Sequence, residues 1–114
     1  MITRRQKKIA AETIRQYNKE NRQAVYEQFA DKVANILGSD IEEVRELNRK
    51  QELMHIRRIV VEMLSRRFKD IKPDKIGKVI KRDRTSILHY QNGWEGFIMY
   101  EDTKRLLRKV EINI

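Results

Sequence analysis

Hydrophobic side chains recur along the chain every three or four residues, which is the spacing of one face of an α-helix. The first stripe predicts a basic helix over residues 3–18, and the second predicts a helix over residues 22–37. Gly38 is well placed to end the second helix, because glycine readily adopts the left-handed conformation that closes a helix. The stripes consist of Ile9, Thr13, Ile14 and Tyr17, then of Val25, Phe29, Val33, Ile36 and Leu37.

A short helix is expected directly after Gly38. Asp40 and Glu43 have the spacing of a capping box, in which the first side chain accepts a backbone N–H at the start of a helix. The short helix should cover residues 41–48 and place Ile41, Val44 and Leu47 inside. Residues 49–52 then form a polar connection.

The longest apolar stripe predicts a central core helix over residues 53–68. His55, near its start, has no companion at metal-ligand spacing and is interpreted as a surface histidine. Four arginines lie outside the stripe. The stripe consists of Ile56, Ile59, Val60, Met63, Leu64 and Phe68, and the arginines are Arg57, Arg58, Arg66 and Arg67.

Residues 72–90, KPDKIGKVIKRDRTSILHY, predict two short helices around a tight turn. Pro73 suits a first helical turn, where its missing N–H costs nothing. Asp83 suits the N-cap of the second helix, where its carboxylate would accept from Thr85 or Ser86. The inner faces are expected to consist of Ile76, Val79 and Ile80 in the first helix and of Ile87, Leu88, Gln91 and Trp94 in the second.

The chain should close with one more helix. Asn92 and Gly93 predict no more than a kink, because Trp94 and Phe97 continue the helical spacing. Asp102 is expected to cap the last helix, whose buried stripe is Leu106, Leu107 and Val110.

Composition favours an all-α fold of one domain. The 114 residues include one proline and four glycines, too few for a sheet with many turns. There is no cysteine, which excludes disulfides and thiolate zinc sites, and no apolar run reaches the length of a membrane span. A soluble intracellular protein is therefore expected.

The net charge of +9 is concentrated in two blocks. Residues 1–22 carry seven basic and two acidic side chains, and residues 56–92 carry eleven basic and four acidic ones. Residues 23–55 carry four basic and seven acidic side chains and are therefore acidic on balance. From charge alone, two interpretations stay equally open: basic surfaces that only face solvent, and a surface that binds nucleic acid.

The predicted pair of short helices favours the nucleic-acid interpretation. Arg84, Thr85 and Ser86 would occupy the first exposed turn of the second helix, where a helix-turn-helix protein meets base edges in the major groove. Cations around that turn would contact phosphates and set the register. These are Lys75, Lys78, Lys81 and Arg82.

The run IGKVIKRDRTSILH also resembles the signature of the C-terminal DNA-binding domain, domain IV, of the bacterial replication initiator DnaA, I-G-x-x-F-G-x-R-D-H-[ST]-T-V-x-H. The order of helices upstream is similar, so the resemblance covers residues 29–110. It implies an all-α, Trp-repressor-like multi-helix domain with a helix-turn-helix over residues 23–114. Residues 1–22 would add a basic N-terminal helix or arm.

The resemblance implies roles for individual residues. Arg82 and Asp83 match its Arg-Asp pair, and the aspartate is implied to accept from a base edge. Thr85 and Ser86 match the pair at bases and phosphate, and His89 matches a position that packs or contacts a phosphate. Arg49 and Lys50 fall in the link where the family carries a basic residue that enters the minor groove.

Two departures from the family bear on the DNA sequence. Arg84 stands where the family has a histidine that contacts a base, and arginine prefers guanine, so the recognised sequence should differ from the family's. The turn KVIKRD has no Gly-Gly pair and is one residue shorter, which predicts a different tilt of the recognition helix.

The function expected is sequence-specific binding of double-stranded DNA, in replication initiation or its regulation. There is no phosphate-binding G-x-x-x-x-G-K-[ST] loop, catalytic pair or metal cluster, so we expect no enzyme activity, cofactor or small-molecule substrate. A transcriptional regulator of a bacterium, phage or mobile element is the alternative; a basic RNA-binding protein or a protein-interaction adaptor is a further one. A cytoplasmic, nucleoid-associated protein is expected, and both monomer and homodimer stay open.

Overall fold

The computed structural model describes residues 4–47 and 50–114, and within the first helix it describes the side chains of residues 10–13 and of 21 onward. The chain forms helices throughout this part and no strand. The elements are α1 Arg4–Ile36, α2 Ile41–Arg45, α3 Gln51–Arg67, α4 Pro73–Ile80, α5 Arg84–Asn92, α6 Trp94–Phe97 and α7 Glu101–Asn113. The all-α class predicted from the sequence is therefore confirmed.

The first two predicted helices are one helix. α1 contains 33 residues and so spans about 50 Å. The predicted break near residues 18–22 is wrong, because this segment is polar but contains neither glycine nor proline, and nothing in it interrupts the helical hydrogen bonds. α1 ends as expected, with Gly38 in a left-handed conformation (φ 80°).

The short helix α2 begins as predicted but ends early. The Asp40 carboxylate accepts from the N–H of Glu43 (2.9 Å), and Asp31 of α1 accepts from the N–H of Ile41 (3.0 Å). The helix ends at Arg45, because the backbone turns to an extended conformation at Glu46. Leu47 therefore lies outside the helix and is 88% exposed, which corrects its predicted place in the core.

α3 is the central helix, as the sequence predicts. It packs against α1, α2, α5 and α7, and its apolar face is covered from several sides. The buried core consists of Ala30, Val33, Ala34, Leu37, Val44, Leu53, Ile56, Ile59, Val60, Val61, Met63, Leu64, Ile76, Val79, Ile80, Ile87, Leu106, Leu107 and Val110.

His55 is buried, which corrects the prediction of a surface histidine. Its side chain lies under α7, and its Nδ1 shares a hydrogen bond with Thr103 Oγ1 (3.0 Å). Burial lowers the pKa of His55, the positive charge of Arg58 lowers it further, and Asp102 opposes both. α7 covers the first turn of α3, and the sequence gives no local sign of this contact between residues 48 positions apart.

The last part of the chain bends twice before α7. Gly93 separates α5 from α6, so Trp94 and Phe97 lie on a separate short helix and are half-buried. α7 begins at Glu101 with Tyr100 at its N-cap, so the predicted cap at Asp102 is wrong. Within the described ranges, no helix is both long and apolar enough to cross a membrane.

Candidate nucleic-acid interface

α4 forms because an apolar stripe follows a favourable helix start. Pro73 occupies the first turn, and Asp74 beside it complements the positive end of the helix dipole. Ile76, Val79 and Ile80 are fully buried against the core. The opposite side of this two-turn helix faces solvent, where Lys78 is exposed and Lys75 half-buried.

The turn between α4 and α5 is closed by a left-handed lysine. Lys81 has φ 53° and ψ 51°, the conformation that ends many helices but that a residue with a Cβ adopts at a cost. The carbonyl oxygen of Gly77 accepts the N–H groups of both Lys81 and Arg82. Gly77 is required here, because a Cβ at this position would overlap the carbonyl oxygen of Arg82.

Asp83 starts α5 as the sequence predicts. Its Oδ1 accepts from the backbone N–H of Ser86 (2.9 Å). Hydrogen bonds from the side chain and the backbone of Ser86 hold the pKa of the Asp83 carboxyl below its usual value. Asp83 is exposed and its carboxyl is therefore ionised at neutral pH.

The first turn of α5 is exposed and the next residue anchors it. Arg84 and Thr85 face solvent and Ser86 is half-buried, whereas Ile87 is fully buried. Gln91, one turn further, donates to Ser65 of α3 (3.3 Å). The start of α5 therefore projects from the body of the protein while its inner side is held on α3.

The cations predicted around this turn lie near one another along the chain, at α4 and the turn that follows it. Lys75, Lys78, Lys81 and Arg84 form no ion pair with an acidic side chain in the part of the chain that the structure describes. Within the described ranges, no acidic side chain neutralises their charges. They are available to an external anion.

Arg82 has a structural role that sequence reasoning missed. Its guanidinium donates to the carbonyl oxygens of Arg45 (3.1 Å) and Glu46, at the end of α2. Arg57, buried in α3, donates to the carbonyl oxygens of Val44 (2.9 Å) and Glu46. Arg57 is therefore buried although it lies outside the apolar stripe, and burial, with Arg82 nearby, lowers its pKa.

Arg45 of α2 donates a hydrogen bond in the opposite direction, from α2 to α4. From the end of α2 its Nε donates to the carbonyl oxygen of Val79 in α4 (2.8 Å). Its Nη atoms pair with Glu27 of α1 (3.2 Å) and Glu42 (3.3 Å). Arg45 of α2 thus donates to α4, and Arg82 of the turn that follows α4 donates to the end of α2, so α4 and the turn are fixed against α2. The predicted phosphate contact of Arg82 stays a prediction beside this role.

The remaining predicted residues lie apart from the turn. His89 is exposed on α5, and its ring lies 6.2 Å from that of Phe97, edge to face. Lys50 is exposed just before α3. Arg49, predicted to share the minor-groove contact, lies outside the described residues.

Side chains that hold metal ions do not cluster in the described ranges. Comparison with protein-family models, curated proteins and solved structures found no match to this chain. The resemblance to the DNA-binding domain of DnaA therefore stays a prediction from the motif residues.

Proposed function

We propose that the protein binds double-stranded DNA in a sequence-specific manner through the exposed start of α5. The observation that carries the proposal is the arrangement at this point. Asp83 caps a helix whose first turn presents Arg84 and Thr85 to solvent, while Ile87 anchors the same helix in the core. A helix start held in this way is what enters a major groove in helix-turn-helix proteins.

The roles divide between base edges and phosphates. Arg84 suits the O6 and N7 acceptors of guanine, and Asp83, Thr85 and Ser86 suit nearby bases. Lys75, Lys78 and Lys81, which no acid neutralises in the described part, suit the phosphates on either side of the groove. His89 and Arg82 would add phosphate contacts, and Lys50 a contact in the minor groove.

The motif resemblance supports a more specific proposal. A Trp-repressor-like arrangement and a role in replication initiation or its control would follow from the match at Arg82, Asp83, Thr85 and Ser86. A transcriptional regulator would use the same surface. The two roles differ in the DNA they select, since a regulator that binds as a dimer requires an inverted repeat.

Selection of binding sites from random duplexes tests the proposal. Arg84→Ala should lower affinity for the selected site by about 1–3 kcal/mol and relax preference at one base pair. Lys78→Ala should weaken selected and random duplexes alike, because a phosphate contact carries no sequence information.

Two results would contradict the proposal. The first is an equal loss on selected and random duplexes for both variants, which would remove the base-reading role from α5. The second is preferential binding of structured RNA when labelled duplex DNA and RNA compete, because an A-form major groove is too narrow to admit a helix.

A further inference from the structure

A second basic surface lies where α1 crosses the link between α3 and α4. A groove of about 230 Å³ opens there, with Arg22 and Tyr26 of α1 on one side and Lys72 and Lys75 on the other. Tyr26 packs edge to face on Phe68, with ring centroids 4.8 Å apart. The groove is therefore lined by one aromatic ring that is packed against the protein and by three basic side chains.

The cations of this groove have no acidic partner in ion-pair contact in the described part of the chain. Arg22, Lys72 and Lys75 form no ion pair among the residues that the structure describes, although Asp70 lines the same groove. Arg22 and Lys72 are exposed and Lys75 is half-buried. The groove thus presents three positive charges and one negative charge to solvent.

The groove joins two parts of the chain that the acidic segment 23–55 separates. Arg22 is the last residue of the N-terminal basic block, whereas Lys72 and Lys75 belong to the second block. The fold brings the end of the first block against the middle of the second. Cations from two blocks that charge counting leaves apart therefore line one groove.

This surface is continuous with the start of the helix-turn-helix. Lys72 is the N-cap residue of α4, and Lys75 lies in the first turn of the helix. Lys78 follows Lys75 by three residues, so these two lysines are neighbours on the helix surface. Lys78 in turn leads to Lys81 in the turn before α5. A series of cations thus runs from Arg22 on α1 to the proposed recognition helix.

We propose that this groove, which Arg22, Lys72 and Lys75 line, binds the sugar–phosphate backbone of the duplex whose bases α5 reads. The inference rests on the proposed function and extends the DNA footprint from α4 onto α1. The phosphate row of a duplex is a regular line of negative charge, which a series of unneutralised cations matches. α1 continues from Arg22 toward Arg4 for about 27 Å more, along a strongly basic sequence.

The salt dependence of binding to one labelled 40-base-pair duplex of random sequence tests this surface. Each lost phosphate contact lowers the absolute value of the slope of log affinity against log salt by about 0.9, so the double variant Arg22→Gln, Lys72→Gln should lower this value by about 1.8. The charge-reversed pair Arg22→Glu, Lys72→Glu should lower it further. Unfolding curves of each variant establish that the fold is retained.

The matched control is the pair Arg108→Gln, Lys109→Gln. Both residues are exposed on α7, which packs on α1 and α3, and the change in net charge is identical. An equal decrease for the control would overturn the proposal, because the effect would then come from net charge and not from this groove. An unchanged slope for the Arg22 and Lys72 pair would overturn it as well.

A third pair separates this inference from the proposed function. If Lys78→Gln, Lys81→Gln lowers the slope and the groove pair does not, the helix-turn-helix binds DNA and the groove does not. If neither pair changes binding, both proposals fail. If the groove binds an acidic protein and the groove variants leave DNA binding unchanged, the proposal that the groove binds DNA is likewise overturned.

Discussion

Arg57 and Arg82 donate hydrogen bonds to the same acceptor, the carbonyl oxygen of Glu46. Arg57 reaches it from the buried side of α3, and Arg82 reaches it from the turn before α5. The end of α2 has no glycine cap, so these side chains satisfy carbonyl groups that a helix end leaves unpaired. The position of the turn between α4 and α5 is therefore coupled to a buried arginine of the core helix.

Because Arg57 and Arg82 share the carbonyl oxygen of Glu46, the stability losses of their single variants should not be additive. Arg57→Met should lower the free energy of unfolding by about 2–3 kcal/mol, because the buried carbonyl of Val44 loses its donor. Arg82→Met should lower it by about 1 kcal/mol, because Arg82 is less buried. The double variant should lose about 1 kcal/mol more than the sum, since only then does Glu46 lose both donors. Denaturant unfolding of the three variants measures this coupling.

Two comparisons make the coupling specific. Arg57→Met combined with Arg108→Met, on the exposed face of α7, should be additive. Arg82→Lys keeps the positive charge, but lysine lacks the planar guanidinium that donates to two carbonyl oxygens at once. The variant should therefore be less stable than the native protein while it retains the salt dependence of DNA binding. Full stability for Arg82→Lys would mean that the carbonyl contacts of Arg82 contribute little.

The close approach of the Arg82 carbonyl to Gly77 predicts a steric effect on stability. Gly77→Ala should lower the free energy of unfolding by about 1–3 kcal/mol, because the new methyl group must displace the backbone carbonyl of Arg82. Gly96, where a Cβ would meet no atom within 4 Å, is the matched position. Gly96→Ala should not destabilise the protein, and equal losses at both positions would show that close approach is not the cause.

Local signals in the sequence were sufficient for much of this fold. The spacing of apolar residues predicted the central helix and both helices around the turn, and Asp40 and Asp83 were placed correctly at helix starts. Each of these depends on residues within one or two turns of one another. The break in α1 was predicted wrongly because a polar segment without glycine or proline does not itself end a helix.

Contacts between distant segments could not be inferred in this way. Arg57 and His55 lie on α3 at positions that polarity assigns to the surface, yet α2 and α7 cover them. Their partners are residues 11 to 48 positions away. The groove lined by Arg22 and Lys72 could not be inferred from the sequence either, because the spacing of charges along a chain does not show which segments meet.

Lys81 predicts opposite effects on stability and on DNA binding. Lys81→Gly should raise the free energy of unfolding by about 0.5–1 kcal/mol, since glycine adopts the left-handed conformation without a Cβ penalty. The same change removes a cation and should lower the salt slope of DNA binding by about 0.9. Lys81→Ala, which keeps the Cβ, should weaken DNA binding equally with no gain in stability.

His55 predicts that stability falls as the solution becomes acidic. Its pKa in the folded protein lies below the ordinary value of 6.5, chiefly because of burial. As pH falls through 6.5 the unfolded chain takes up a proton that the folded protein does not, so stability is lost until the folded pKa is reached. One such group contributes a slope of at most about 1.4 kcal/mol per pH unit.

Asparagine at position 55 isolates this contribution. Its amide can occupy the place of Nδ1 and retain the hydrogen bond with Thr103, yet it does not titrate. The free energy of unfolding of His55→Asn, measured between pH 5 and 7.5, should therefore depend less on pH than that of the native protein. His89→Asn, at an exposed histidine, should retain the native dependence. If the two variants behave alike, or if the native protein loses no stability below pH 6.5, burial of His55 does not control the acid response, and another group must account for it.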